Sequence, residues 1–442
     1  MTLSHASLLQ QLAALSEDAS PAERYVVAFS GGLDSTVLLH ALAAQSDVPV
    51  LAVHIDHGLQ DGSNEWALQC APIAAAFNVV FRSARVSIQD ASAQGLEAAA
   101  RDARYAEFAT LMNPGDWLLS AHHQDDQAET LLLNLFRGGG PAGLAGIAAI
   151  KPFGCGFLAR PLLQFSRSQL RDYANLHDLH WLEDPSNEDS RFDRNFLRHE
   201  ILPRIESRWP GVAKRLQRSS GLAGAAALLL NDLAAIDVAT LGERCDRLDI
   251  DALCALPSDR QRNALRFAIR ELGMPTPSAA LVERVLDEVV LAREDAEPVV
   301  RWPGVEVRRY RKALYLLAAD VSAAPADPGA VGASDHLQLE HGLGVLRLES
   351  NAAEGLSDDL IQRGLELRFR QGGEKFQPIG QVHTKKLKKL LQEAGVVPWM
   401  RDRIPLVFSG GKLVAVADLW LAAGAASKPG VAIRWENRPP IH

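Results

Sequence analysis

Residues 25–35 read YVVAFSGGLDS, and this stretch decides the fold. Tyr25 to Phe29 is a short apolar run of strand type that stops at Ser-Gly-Gly. STVLLHALAA follows and reads as helix. A strand that feeds glycines into a helix gathers free backbone N–H groups and the positive end of the helix dipole at one point, which suits an anion. Gly31 and Gly32 let the backbone approach a phosphate without a Cβ in the way, while Ser30 and Ser35 bring hydroxyl donors and Leu33 starts the helix. Asp34 places a carboxylate at the same point, which makes sense only with a cation such as Mg²⁺ between it and the phosphates. A plain tight turn with a capping Ser or Asp would need only one of these six residues. There is no Lys at the position that a GxxxxGK[ST] loop requires.

Further strand–helix units follow: Val50–Ile55, Val79–Ala84 and Asp116–Ala121, each leading into a helical stretch. Repeated units of this kind make an α/β domain with a parallel sheet covered on both faces. Ligands then sit beyond the carboxyl ends of the strands, at SGGLDS, at Asp56-His57-Gly58 and at HHQDD. In HHQDDQAET, His122, Asp126 and Glu129 step by four and three and share a helix face. Asp126 can be a second Mg²⁺ anchor opposite Asp34, or these acids can simply complement a helix dipole. LEAAARDARY puts Glu97, Arg101 and Arg104 on one face, either to neutralise a transferring phosphoryl group or as a salt-bridged surface.

The chain of 442 residues is 47% hydrophobic and 23% charged, which suits two or three soluble domains. The N-terminus lacks the basic region of a secretory leader, and the apolar stretch Leu222–Leu230 is too short to span a bilayer. Four cysteines without a CxxC pair fit a reduced, cytoplasmic setting with plain buried thiols. The net charge of −8 argues against a nucleic-acid partner only if charge is spread evenly, and it is not. Arg191–Arg218 holds eight Lys/Arg against three Asp/Glu, and Glu366–Arg403 holds nine against four. The expected organisation is a nucleotide-binding domain over 1–215, a mostly helical domain over 216–320 with strands around a Pro-Gly turn at 299–318, a linker over 321–335, and an α+β domain over 336–442. A basic helix is expected at Lys385–Ala394.

SGGLDS in this setting resembles the PP-loop of the N-type ATP pyrophosphatases, which split ATP between the α and β phosphates and transfer AMP to a substrate oxygen. IDHGL, EAAARDARY, HHQDDQAETLLLNLFRGGGPAGLAGI, RPLL and DPSNEDSRFDRNFLR follow in order, and with them the chain resembles the tRNA(Ile)-lysidine synthetase family. The likeness is strong over residues 25–205 and continues through LAREDAEPVVRWPGVEVRRY and KKLKKLLQEAGVVPWMRDRIPLVF.

The resemblance implies that ATP adenylates C2 of the wobble cytidine in a CAU-anticodon tRNA(Ile), and that free L-lysine then displaces AMP. It implies catalytic roles for Asp34, Arg101, Asp126 and Glu129, metal binding by Asp34 and Asp126, and ATP contacts from Ser30–Ser35, Asp56 and His57. The base that deprotonates lysine stays open among Asp126, Glu129 and the acidic loop Asp184–Asp189. The basic patches become tRNA contacts: Arg194, Arg198, Arg204 and Arg208 beside the site, and Arg368, Lys385, Lys386, Lys388 and Lys389 farther along the chain. Oligomeric state stays open, a homodimer included. A tRNA thiolase would bring cysteines for sulfur or a cluster, and a retired scaffold that only binds tRNA would have lost Asp34 or the HHQDD carboxylates; neither fits this chain.

Overall fold

A computed structural model describes residues 2–56, 58, 63–86, 96–183, 189, 191–293, 296–319, 325–331 and 336–441. It divides into two compact units, Met1–Leu229 and Leu230–His442.

In the first unit a helix α1 (His5–Leu15) precedes β1 (Arg24–Ala28), α2 (Leu33–Ala43), β2 (Val50–Asp56), α3 (Ser63–Ala76), β3 (Val80–Arg85), α4 (Leu96–Leu111), β4 (Asp116–Leu119) and α5 (Gln124–Phe136). The strand order is β3-β2-β1-β4, all parallel. Alternate residues of each strand serve opposite faces, as the period of two requires. Val26, Leu51, Val53 and Leu118 pack with Phe108 of α4 and with Met112 just after it. Val27, Ala52, Trp117 and Leu119 pack with Val37 and Leu38 of α2. Both faces are thus covered, as the near-continuous apolar strands anticipate.

A short helix α6 (Pro141–Leu144) leads to a hairpin, β5 (Ile150–Phe153) and β6 (Gly156–Ala159), that the sequence reading does not contain. β6 runs parallel to β4, and β5 closes the edge antiparallel to β6. Its signal lay in Phe-Gly-Cys-Gly at 153–156, with Gly154 at φ +57° in the turn. α7 (Arg167–Leu176), α8 (Asp193–Phe196) and α9 (Leu202–Arg208) follow.

α10 (Val212–Leu241) is 30 residues long with a mean hydropathy of 1.6 in its most apolar window, enough by length and composition to cross a membrane. That overturns the length expected from Leu222–Leu230 alone. Its polar side chains nonetheless take protein partners: Ser220 is buried and donates to the Ala145 carbonyl at 2.6 Å, and Gln217 donates to the Leu163 carbonyl at 2.8 Å. Asp237, buried farther along, is clasped by Arg260.

In the second unit the strands expected at 299–318 are present as Val299–Trp302, Val305–Tyr310 and Ala313–Ala318, antiparallel around Pro-Gly. A fourth strand, Arg247–Asp249, lies in the domain expected to be mostly helical. Two five-stranded sheets form the C-terminal part. Gly329–Val331, inside the expected linker, pairs antiparallel with Leu365–Leu367. The basic helix starts at Leu387, because Lys385 and Lys386 pair as strand with Lys375 and Phe376. All four cysteines are free, but Cys70 alone is buried, so the expectation of four buried thiols fails.

Candidate active site

β1 and β4 are neighbours in the sheet, yet the chain visits β2 and β3 between them. At such a reversal of strand order the helices that leave the two strands diverge and open a crevice at their carboxyl ends. Here the crevice is a cleft of about 620 Å³ walled by Ser30–Ser35 (without Gly31), the end of β2, Ser120–His122 and Asp126.

The loop from β1 is built for close approach. Gly31 has φ +78°, and a Cβ there would sit 2.7 Å from Cys70 Sγ and 2.9 Å from a Leu182 methyl. Its carbonyl accepts from the Leu182 N–H at 2.8 Å, which fixes the turn. Gly32 is the N-cap of α2 and offers no side chain to its first amides, so the dipole end faces the cleft. The Ser30 and Ser35 hydroxyls lie 3.1 Å apart at the rim of this cradle.

Behind the loop stands His123, a buried residue for which the sequence reading gave no role. It is the N-cap of α5, and its own N–H donates to Asp126 Oδ2 at 2.9 Å. Its Nε2 lies 3.6 Å from Asp34 and 3.5 Å from Asp126, and its Nδ1 lies 3.5 Å from Asp125. Burial works against charging the ring, but hydrogen bonding to Asp125 and Asp34 and the charge of Asp126 outweigh it and push the imidazole up to about 10. The His123 ring therefore stands among the carboxylates that SGGLDS and HHQDD bring together, with its Nδ1 accepting from the Asp125 N–H at 3.2 Å. For Asp126 burial is likewise outweighed, by His123, His122 and Arg198, and it stays below the usual carboxylate range.

A divalent cation fits these residues. Asp34 Oδ1 is buried with no hydrogen-bond partner, an arrangement that costs free energy unless something positive meets it. Asp34 and Asp126 supply the hard oxygen donors that Mg²⁺ prefers.

The other expected residues separate. His122 precedes α5, so it does not share the helical face assigned to it; its Nδ1 lies 2.6 Å from the Ser120 hydroxyl. Burial, only partly offset by Asp126, lowers it to about 4, and it is neutral at physiological pH. Glu129 is wholly buried outside the cleft wall, with Arg198 at 2.7 and 3.0 Å and Arg194 at 3.3 Å on its oxygens. Arg101 is exposed and lies over Tyr105, while Arg104, one turn on, lines the cleft. The Asp56 carboxylate, also in the wall, accepts from the Gly58 N–H at 2.8 Å. His57 and Asp184–Glu188 lie outside the described residues. Asp189 is paired with Arg191 at 2.7 Å.

Of the basic residues, Arg198 reaches the cleft but spans Asp126 and Glu129, and Arg194 bonds the Thr130 hydroxyl at 2.8 Å. Both clamp the segment after α7 onto α5. Arg204 and Arg208 are exposed. Arg368 is held by Glu366, and Lys385 by Glu393 at 2.9 Å, whereas Lys386 and Lys388 are exposed. Arg167 was not anticipated: it lines the cleft, its N–H donates to Asp125 at 2.8 Å, and its Nε is buried without a hydrogen-bond partner. The signal was the pair of arginines opening the α7 pattern SRSQLR.

This arrangement defines a PP-loop ATP-using domain, and residues 4–205 match the family model described as the PP-loop domain. Residues 248–315 match the TilS substrate binding domain and residues 365–435 the TilS substrate C-terminal domain. The tRNA(Ile)-lysidine synthase of Alkalilimnicola ehrlichii is 42% identical over 99% of this chain and 98% of that protein. That of Methylococcus capsulatus is 40% identical over 94% and 97%. The U34-tRNA thiolase NcsA of Methanococcus maripaludis, a solved structure, aligns over 49% of this chain and 78% of its own with 14% identity and a TM-score of 0.40. The chain belongs to the tRNA(Ile)-lysidine synthase family, ligase-type enzymes built on a PP-loop ATP-binding domain.

Proposed function

We propose that this enzyme joins free L-lysine to C2 of the wobble cytidine in a CAU-anticodon tRNA(Ile), in the cytoplasm, with ATP converted to AMP and pyrophosphate. The observation that carries the reading is the meeting of an open helix N-terminus with the partnerless Asp34 Oδ1 in one cleft. Phosphates belong on the amides of the loop and the α2 terminus. Mg²⁺, held by Asp34 and Asp126, would neutralise phosphate charge there.

The C2 oxygen of cytidine is a poor leaving group, and adenylation makes its displacement by an amine feasible. Arg104 and Arg167 line the cleft where charge builds on the α-phosphate and support its stabilisation. His123 keeps Asp34 and Asp126 aligned and holds its proton, so it acts as a positioning residue. Of the carboxylates weighed as base for lysine, Glu129 is sealed by two arginines outside the cleft wall, and Asp126, held below its usual range, is a weak proton acceptor. We assign Asp126 to charge holding and Glu129 to support. The exposed basic side chains Arg204, Arg208, Lys386 and Lys388 suit the tRNA backbone.

The test is pyrophosphate exchange. With tRNA(Ile) present and lysine absent, an adenylated tRNA intermediate requires labelled pyrophosphate to enter ATP. Exchange that appears only once lysine is added points to a concerted or lysine-first route and contradicts the proposal.

A further inference from the structure

Away from the cleft, α1, α2 and α7 bring three histidines together. His5 is the first residue of α1, His40 lies in the last turn of α2, and His177 is the C-cap of α7. His40 is seven residues along α2 from Leu33, roughly 10 Å from the phosphate loop at the helical rise. One ring nitrogen from each histidine lies within 4.8 Å of the other two. The Tyr173 hydroxyl sits beside them, 3.0 Å from His40 Nδ1 and 3.3 Å from His5.

The single phenol proton cannot answer both the His40 and the His5 nitrogens that the Tyr173 hydroxyl reaches. His5 Nδ1 is 3.1 Å from the Ala41 carbonyl oxygen, and a carbonyl only accepts. Nδ1 of His5 therefore carries the hydrogen, and the lone pair is on Nε2. A backbone carbonyl that fixes the far nitrogen in this way is the usual support of a metal-binding imidazole. Among the described residues the cluster's ring nitrogens meet this carbonyl and the one phenol, and none is ion-paired with a carboxylate. Ring packing alone, such as His40 on His177 with centroids 5.0 Å apart, would gather three polar rings without answering their lone pairs.

We propose that His5, His40 and His177 bind one late first-row divalent cation, with Zn²⁺ the natural occupant. Three imidazoles select Zn²⁺, Co²⁺, Ni²⁺ or Cu²⁺ and not Mg²⁺, which takes oxygen donors. A tetrahedral ion with bonds of about 2.0–2.1 Å needs nitrogens roughly 3.3 Å apart, so the ring nitrogens, now within 4.8 Å of one another, draw in on binding. The fourth position lies open to water or to the Tyr173 oxygen. The bound ion staples the N-terminal helix to α2, whose other end forms the phosphate cradle, and to α7, whose first turn carries Arg167. The metal is structural, and it is chemically distinct from any cation in the cleft.

The experiment is a Co²⁺ titration of tag-free, chelator-stripped, full-length protein without ATP. One equivalent binds with the strong visible d–d bands of tetrahedral Co²⁺, and Zn²⁺ displaces it. His177→Ala and His5→Gln each lose the bands, while Asp34→Asn keeps them. Diethyl pyrocarbonate labelling of the wild-type protein supplies a readout that needs no variant, since Zn²⁺ protects His5, His40 and His177 against modification. Absence of a tetrahedral spectrum, bands that survive His177→Ala, bands lost in Asp34→Asn, or labelling indifferent to Zn²⁺ each overturns the proposal.

Discussion

The His123 imidazole stands 3.6 Å from the Asp34 carboxylate, which joins the loop after β1 to the start of α5. The two residues are 89 positions apart and arrive from strands that become neighbours only through the strand order. The contact ties the phosphate cradle to the HHQDD carboxylates, and its charge state governs both.

A pH dependence follows from it. His123 stands at about 10 in the fold, against about 6.5 for a free histidine. A raised value means that its contribution to stability is complete below about pH 6.5 and is lost as pH rises through about 10. Denaturation midpoints of the wild type and of His123→Gln should therefore differ most near neutral pH and converge toward pH ~10. A constant offset across that range contradicts a charged His123.

Asp34→Asn should bind ATP without turning it over, with kcat lowered by about 100-fold or more, the scale of removing a charge-organising group from an active site. Single-turnover AMP formation checks this, and a loss below about tenfold contradicts the role.

Much of this site was legible in the sequence, for a definite reason. SGGLDS and HHQDD each follow a strand, and the rule that ligands gather at strand carboxyl ends brings Asp34 and Asp126 to one place. What failed was local. Periodicity counted His122 into a helix that starts at Gln124, because a cap looks like helix to a spacing argument. Arg101 and Arg104 sit three residues apart, and spacing alone could not say which faces the cleft. The strand Gly329–Val331 hid in SAAPADPGAVGASD because composition reports loop residues and not the partner, Leu365–Leu367, that makes three of them a strand.

Glu129→Gln should cost stability more than chemistry. Glu129 is fully buried and Arg198 is 20% exposed, so removing the anion leaves a largely buried guanidinium, at a cost of about 3 kcal/mol. Denaturant titration reads it. A change below about 1 kcal/mol, or loss of AMP formation in a protein of unaltered stability, contradicts the supporting role.

Gly31→Ala should combine a left-handed backbone with a Cβ placed 2.7 Å from Cys70 Sγ. Together these are worth about 2 kcal/mol or more. Because the strain lies in the cradle, ATP affinity should fall by at least about tenfold in calorimetry, and unchanged affinity contradicts the assigned turn.

If Lys386 and Lys388 touch tRNA phosphates, the double change to Ala should lower the slope of log affinity against log salt by about 2. A weaker complex with the same salt slope would mean that they do not contact the backbone.

The most direct test of the central claim incubates the protein with ATP, Mg²⁺, labelled lysine and unmodified CAU-anticodon tRNA(Ile), with tRNA(Met) as control. Label should enter only the isoleucine tRNA, with one AMP formed per lysine joined, and Asp34→Asn should abolish both. AMP released without label in the tRNA, or label entering tRNA in the Asp34→Asn protein, would contradict it.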